Sequence, residues 1–286
     1  MIKKNLNTKQ VSNLFGVDES TVRRWSLGGK IKSSSSAGGH RNFSYKNIIE
    51  FAKNKGIKLN PINQNQTIDR KKIIKDFLNY SLKKDSQSIE LTLIQLYLNG
   101  TQLPDLMDNY IEEVLVKIQN ELDLERISVA EEHIARKIVS KSLGRFNLSI
   151  SNNKKISNKN ILCLNLENDI PDLPIDMIQI LLENINYNVD NCGSHTSIEN
   201  LKILLSNKDY EAIFIYMCDR QCCTSTVRDN IKKTNHDLKE ISSLANKYKI
   251  QLFLGGPSFK NIDKEILKNY KLFKKYSECL KLVKAV

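Results

Sequence analysis

Four short apolar runs near the C-terminal end constrain this chain more than any other feature: NILCLNL (160–166), YNVDNCG (187–193), AIFIYMC (212–218) and IQLFLGG (250–256). Each is strand-length, and amphipathic helical stretches at 175–186, 197–206 and 228–248 separate them. Strands that alternate with helices pair in parallel and carry the helices on both faces of the sheet. Residues 158–286 are therefore predicted to form a Rossmann-like α/β domain, whose ligands lie at the carboxyl ends of the strands.

Residues 69–150 follow another period. IIKDFLNYSLKK, SIELTLIQLYLNG, LPDLMDNYIEEVLVKIQNELDLE and SVAEEHIARKIVSKSLGRF are amphipathic segments with short breaks between them. That pattern predicts a four-helix bundle. Residues 58–68, KLNPINQNQTI, are amide-rich, hold one Pro and show no apolar period, which suits a linker.

The N-terminal stretch is set apart by charge. Of a net +12, most sits in residues 1–60, where twelve Lys and Arg face three acids. A compact basic segment on a near-neutral remainder is the electrostatic footprint of a nucleic-acid reader. Within it, NTKQVSNLFG predicts a helix capped at Asn7 or Thr8 and ended by Gly16. A second helix follows Asp18, with Val22 and Trp25 turned inward and Thr21, Arg23 and Arg24 left outside. After Gly28 and Gly29, Lys30 to Ser33 and Arg41 to Ser44 are expected to pair around SSSSAGG, and Tyr45 to Lys55 to form a third helix buried through Ile48, Ile49, Phe51 and Ala52. Residues 1–57 thus read as a winged helix-turn-helix, and the whole chain as multidomain α+β.

No stretch approaches the ~20 apolar residues that span a bilayer, and MIKKNLNTKQ has no secretory signal character. A cytoplasmic protein with no membrane partner is expected. The six cysteines (163, 192, 218, 222, 223 and 279) are too irregular for a secreted disulfide framework. G-x-S-x-G, G-x-x-x-x-G-K-[ST] and H-E-x-x-H are absent, so no enzyme is expected.

ESTVRRW followed by GGHRNFSYKNI resembles the DNA-binding domain of MerR-family and excisionase-like regulators over residues 5–57. The resemblance implies that Thr21, Arg23 and Arg24 face the major groove of a double-stranded operator and that His40 and Arg41 hold the wing on phosphates. Bundle and sheet together resemble the two-part cobalamin-binding module of methionine synthase and of light-sensing, photoreceptor-type MerR repressors. ISVAEEH, with Glu132 and His133, and the glycine pair Gly255-Gly256 carry that likeness. Pro171 stands where the family has its lower-ligand histidine, Pro174 replaces a glycine, Tyr216 a serine of the nucleotide-tail channel, and Leu122 the bundle tryptophan.

The cobalamin motif is therefore degenerate, and two readings stay open for the C-terminal half: a fold without ligand, or a pocket turned to another tetrapyrrole, biliverdin or haem rather than cobalamin. Cys192 and His195 follow the second strand, and Cys218, Cys222 and Cys223 the third, at the edge where a ligand arrives. C-x₃-C-C lacks paired zinc spacing, whereas thiols and imidazoles serve as haem ligands or bilin attachment points. His133 and one or more of Cys192, His195, Cys222 and Cys223 are expected to line one cavity, with Glu132, Tyr216, Gly255 and Gly256 around it. The function these readings imply is a homo-oligomeric (dimeric or tetrameric) transcriptional regulator sensing a ligand or light. A ligand-independent regulator and a corrinoid-dependent methyltransferase-type carrier are the alternatives.

Overall fold

The structure, a computed structural model, describes residues 5–36, 38–55, 69–98, 100–150, 158–167, 172–218 and 230–284. The linker expected at 58–68, Pro171 and the Cys222–Cys223 pair lie outside the described residues. The chain divides into two compact units, Met1–Asn152 and Asn153–Val286.

The first unit opens with strand β1 (Asn5–Asn7) and helices α1 (Thr8–Phe15) and α2 (Glu19–Leu27). Asn7 and Gln10 form a reciprocal capping box at the start of α1, and Gly16, in the left-handed region, closes it. Val11, Leu14, Phe15 and Val22 are buried between the helices. Trp25 is half-buried, its ring 5.5 Å from Phe15 and 4.7 Å from Phe51. Asp18 precedes α2 in extended backbone but makes no side-chain cap hydrogen bond.

Strands β2 (Ser34–Ser35) and β3 (Arg41–Ser44) form a hairpin, and β1 pairs with the other edge of β3, giving an antiparallel sheet ordered β1-β3-β2. The first hairpin strand thus starts later than the expected Lys30 to Ser33. A tight turn, in which the Ser36 N–H donates to the His40 carbonyl and the Gly39 N–H to that of Ser36, sets the register. Helix α3 (Tyr45–Lys55) follows at once, burying Ile48, Ile49, Phe51 and Ala52.

Helices α4 (Arg70–Leu82), α5 (Ser86–Leu98), α6 (Leu103–Leu106), α7 (Glu112–Asp123) and α8 (Val129–Ile150) complete the unit. A π-helical turn at Met107–Ile111 joins α6 to α7 and buries Met107, Tyr110 and Ile111 together. Helices α4, α5, α7 and α8 pack on one another around Phe77, Leu93, Leu115, Ile118 and Phe146. Helix α3 packs on α8. Burial and the nearby Glu90 carboxylate push the Tyr45 phenol up to about 12.

The second unit is a five-stranded, wholly parallel sheet ordered β5-β4-β6-β7-β8: β4 (Asn160–Leu164), β5 (Asn188–Asn191), β6 (Ala212–Tyr216), β7 (Gln251–Gly255) and β8 (Lys271–Phe273). Helices α9 (Leu173–Asn184), α10 (Ile198–Asn207), α11 (Ile231–Tyr248), α12 (Lys264–Leu267) and α13 (Tyr276–Lys284) connect and flank it. Leu162, Leu164, Ile213, Ile215, Leu252 and Leu254 face one core with Leu238, Ile241 and Ala245 of α11. On the other face α9 packs on β4 and β6, and α13 packs on α9. The strand order reverses between β4 and β6, the switch point where doubly wound sheets bind ligands.

Candidate functional site

The residues singled out in the sequence fall into three clusters and the glycine pair with Tyr216. The first is α2 with its hairpin. Complete burial of Val22 fixes the helix, leaving Arg23 and Arg24 exposed and Thr21 half-buried. Arg24 Nη2 donates to Thr21 Oγ1 at 3.1 Å, and Arg23 Nη2 stands 3.6 Å from Glu19 Oε2. The Ser26 and Ser33 hydroxyls, 2.6 Å apart, tie the end of α2 to the entry of the hairpin. His40 is exposed at the hairpin turn and Arg41 half-buried beside it, with Lys30, Lys32 and Lys46 exposed nearby in sequence.

The second is the start of α8. Ser128 and Glu131 form its capping box: Glu131 Oε2 accepts from the Ser128 N–H and hydroxyl, each at 2.8 Å, and Ser128 Oγ from the Glu131 N–H at 3.3 Å. Glu132 is wholly buried and its carboxylate is bound by Arg136, which also reaches Gln119 Oε1 at 3.3 Å. His133, by contrast, has a 60% exposed side chain. Leu122 is half-buried on α7. Of the two adjacent candidates, His133 is open to a ligand and Glu132 is part of the packing. The i,i+4 spacing of Glu132 and Arg136 was the available signal for that pairing.

The third is the carboxyl edge of the parallel sheet. Cys192 follows β5 half-buried, its N–H bonded to the Cys163 carbonyl, and His195 stands exposed at φ +64°. Glu167, beyond β4, accepts from Lys233 of α11 at 2.8 Å; that hydrogen bond, with charge from Lys233 and His195, holds its carboxyl below the usual range. At the head of α9, Asp172 Oδ1 is buried without a hydrogen-bond partner among the described residues, close to the Gly193 backbone. Burial raises the thiol of Cys163 well above its ordinary value and raises that of Cys192 too, so neither is poised as a thiolate nucleophile. Cys218 is buried after β6, its carbonyl accepting from Ser258 Oγ at 2.9 Å. Among the described residues no group of three or more His, Cys, Asp or Glu gathers as a metal site, and no helix is long and apolar enough to cross a membrane.

Tyr216, Gly255 and Phe273 are register partners on the adjacent strands β6, β7 and β8, and so project to one face. One row inward, Phe214 and Phe253 stack with ring centroids 4.3 Å apart. The Phe273 ring leans over Gly255 into the space a Cβ there would need. The Tyr216 ring lies parallel to that of Tyr276 of α13, centroids 6.2 Å apart. Gly256, at φ +100°, brings its Cα against the Met217 backbone. The glycine pair is thus accounted for by contacts inside the unit. Sequence reading missed β8 and α13, which supply Phe273 and Tyr276; KLFKKY is too short and too charged to announce a strand and a core.

No protein-family model matches this chain, and no curated protein matches it. Among solved structures it is similar to the monomethylamine corrinoid protein of Methanosarcina barkeri, at 12% identity and a TM-score of 0.57 over 74% of this chain and 97% of that one. A cobalamin-binding protein from Desulfitobacterium hafniense DCB-2 matches at 8% identity over 74% of this chain and 97% of that chain, with a TM-score of 0.36. The methanol:cobalamin methyltransferase complex of Methanosarcina barkeri matches at 13% identity over 78% and 81%, also with a TM-score of 0.36. The first likeness shows the fold: a Rossmann-like α/β sheet with helices, of the corrinoid-protein type. The residues present do not fit a cobalamin that inserts its nucleotide tail, because Phe273, Tyr216 and Tyr276 occupy the face of the sheet beside the glycine pair.

Proposed function

We propose that this chain is a DNA-binding regulator: residues 5–55 act as a winged helix-turn-helix head, and the unit with the parallel sheet acts as its ligand module. The carrying observation is on α2, where Val22 is fully buried while Arg23 and Arg24 stay exposed, with a basic hairpin attached to the end of the helix. A short helix held by its apolar face and presenting arginines is what major-groove reading requires. Thr21, Arg23 and Arg24 enter the groove, and His40 and Arg41 hold the phosphates. The chain binds rather than turns over substrate, and it works as a homo-oligomer, since one small head gives little affinity alone. The ligand is a flat tetrapyrrole, haem or a bilin, at the strand ends beside Cys192 and His195. Selection from a random double-stranded DNA library tests this reading: one sequence should be enriched, and its binding abolished in the double variant Arg23→Ala/Arg24→Ala. No enrichment, or enrichment unchanged in the variant, would sink it.

A second reading, a corrinoid carrier serving a methyltransferase, draws support from the likeness to the monomethylamine corrinoid protein, which this chain covers almost whole. A carrier gives no role to the basic N-terminal head, where most of the net charge sits. Methyl transfer to and from the purified, corrinoid-loaded protein would favour the carrier.

A further inference from the structure

We infer that the C-terminal unit excludes a nucleotide arm at the carboxyl edge of its sheet, along β6, β7 and β8, because three of its own rings close the groove in which such an arm would lie. The inference rests on the reading of this unit as a tetrapyrrole module and narrows the ligand class to flat macrocycles without a deep arm: haem, a bilin, or a corrin stripped of its nucleotide. Parallel register sets Tyr216, Gly255 and Phe273 side by side on one face. The middle residue has no side chain, so this row would be a slot if its neighbours pointed away. They do not. Phe273, 1% exposed, covers Gly255, and Tyr216, 9% exposed, lies against Tyr276, 3% exposed. Beneath them the Phe214–Phe253 stack forms the floor. Protein interiors packed in this way keep no void the size of a benzimidazole, so entry of an aromatic base would require Phe273 and α13 to leave their seats. The edge outside the rings, where Cys192 and His195 stand, is untouched by this closure.

Two measurements on the full chain test the closure without reference to DNA, so that failure of the DNA-binding proposal would leave it standing and its own failure would leave that proposal standing. In the first, cobalamin and cobinamide, the same corrin lacking the nucleotide, are titrated and followed by visible absorbance. The arm should add nothing, so cobalamin binds no more tightly than cobinamide, or neither binds; cobalamin binding tighter by about tenfold or more overturns the inference. In the second, the thermal midpoints of the wild type and Phe273→Ala are compared with and without 5,6-dimethylbenzimidazole. Removing the ring should open an apolar cavity that takes the base, as enlarged apolar cavities take small aromatics, so only the variant gains stability. A variant that responds no more than the wild type overturns the assignment of Phe273 as the block. Should Phe273→Ala fail to fold, the comparison of cobalamin with cobinamide on the wild-type chain decides the inference by itself.

Discussion

Arg136 binds the carboxylate of Glu132 one turn back along α8, and that carboxylate is wholly enclosed. Arg136 itself is 15% exposed, and its Nη1 is buried without a hydrogen-bond partner among the described residues. Removing one member of such a pair leaves the other buried without its main partner, whereas replacing both with apolar residues of similar size does not. Arg136→Ala should therefore cost about 3–5 kcal/mol, and the double variant Glu132→Leu/Arg136→Met markedly less. Urea denaturation of the two variants gives the comparison; equal losses would show that the pair is incidental to the packing.

The start of α5 predicts an acid limb. Asp85 stands just before the helix and accepts from the Ser88 hydroxyl at 2.6 Å and from the Ser88 N–H at 3.0 Å. The hydroxyl, with backbone N–H groups, holds the Asp85 carboxyl below its ordinary 3.8 against an opposing effect of burial. A carboxylate depressed in the folded state adds stability that is fully present above its unfolded pKa and is lost as pH falls through the folded one. Asp85→Asn keeps an acceptor and loses only the charge, so it should lower stability near neutral pH by less than the about 0.5–2 kcal/mol that losing a cap altogether costs. It should also flatten the decline below pH 3.8. Thermal midpoints across that range check both statements; a wild-type decline that persists unchanged in Asp85→Asn would contradict them.

Much of the fold was legible because its signals are local. The limits of α3 follow from apolar Ile48, Ile49, Phe51 and Ala52 at helical spacing, and β4, β6 and β7 are apolar runs because central parallel strands are buried on both faces. The edges were not. Strand β8 buries Phe273 but leaves Leu272 39% exposed, and β1 is the polar-flanked NLN, so neither offers a hydropathy signal. Serines 34 and 35 are silent for the same reason, and hydrogen bonds in the turn decide their register. At the site, Tyr216 was recognisable as bulk where a small residue was expected. Its partner Tyr276 lies far along the chain, and no periodicity connects two residues whose contact is made by tertiary packing. Gly255 and Gly256 likewise announce a close approach without saying what approaches.

Two glycines separate strain from crowding. Gly29 and Gly256 both have positive φ, at +66° and +100°. Around Gly29 a Cβ would meet nothing within 4 Å, while at Gly256 it would overlap the Met217 backbone. Gly29→Ala should cost only the left-handed penalty, ~1–2 kcal/mol, and Gly256→Ala clearly more, beyond about 3 kcal/mol. Chemical denaturation of both variants decides it, and a Gly256→Ala variant as stable as Gly29→Ala would mean that the Met217 turn yields freely.

The arginines of α2 give the prediction on which the regulator reading stands. Arg23 pairs with Glu19 across solvent, with the two side chains 58% and 41% exposed, and a pair of that kind is worth about 0–1 kcal/mol. Among the described residues the Arg24 guanidinium donates to the neutral hydroxyl of Thr21. Neither interaction supports the core, so Arg23→Ala and Arg24→Ala should change folding stability by no more than ~0.5 kcal/mol. Against the selected duplex, whichever of the two forks onto a base edge should lose about 1–3 kcal/mol of affinity, with discrimination relaxed at one base pair. A lysine that neutralises a phosphate behaves differently: Lys30→Ala or Lys32→Ala should weaken all duplexes alike and lower the slope of log affinity against log salt by about one for each phosphate no longer neutralised. Fluorescence anisotropy across a salt series separates the two classes. If both arginine variants bind the selected duplex as tightly as the wild type at every salt concentration, α2 is not the reading helix and the DNA-binding assignment falls with it.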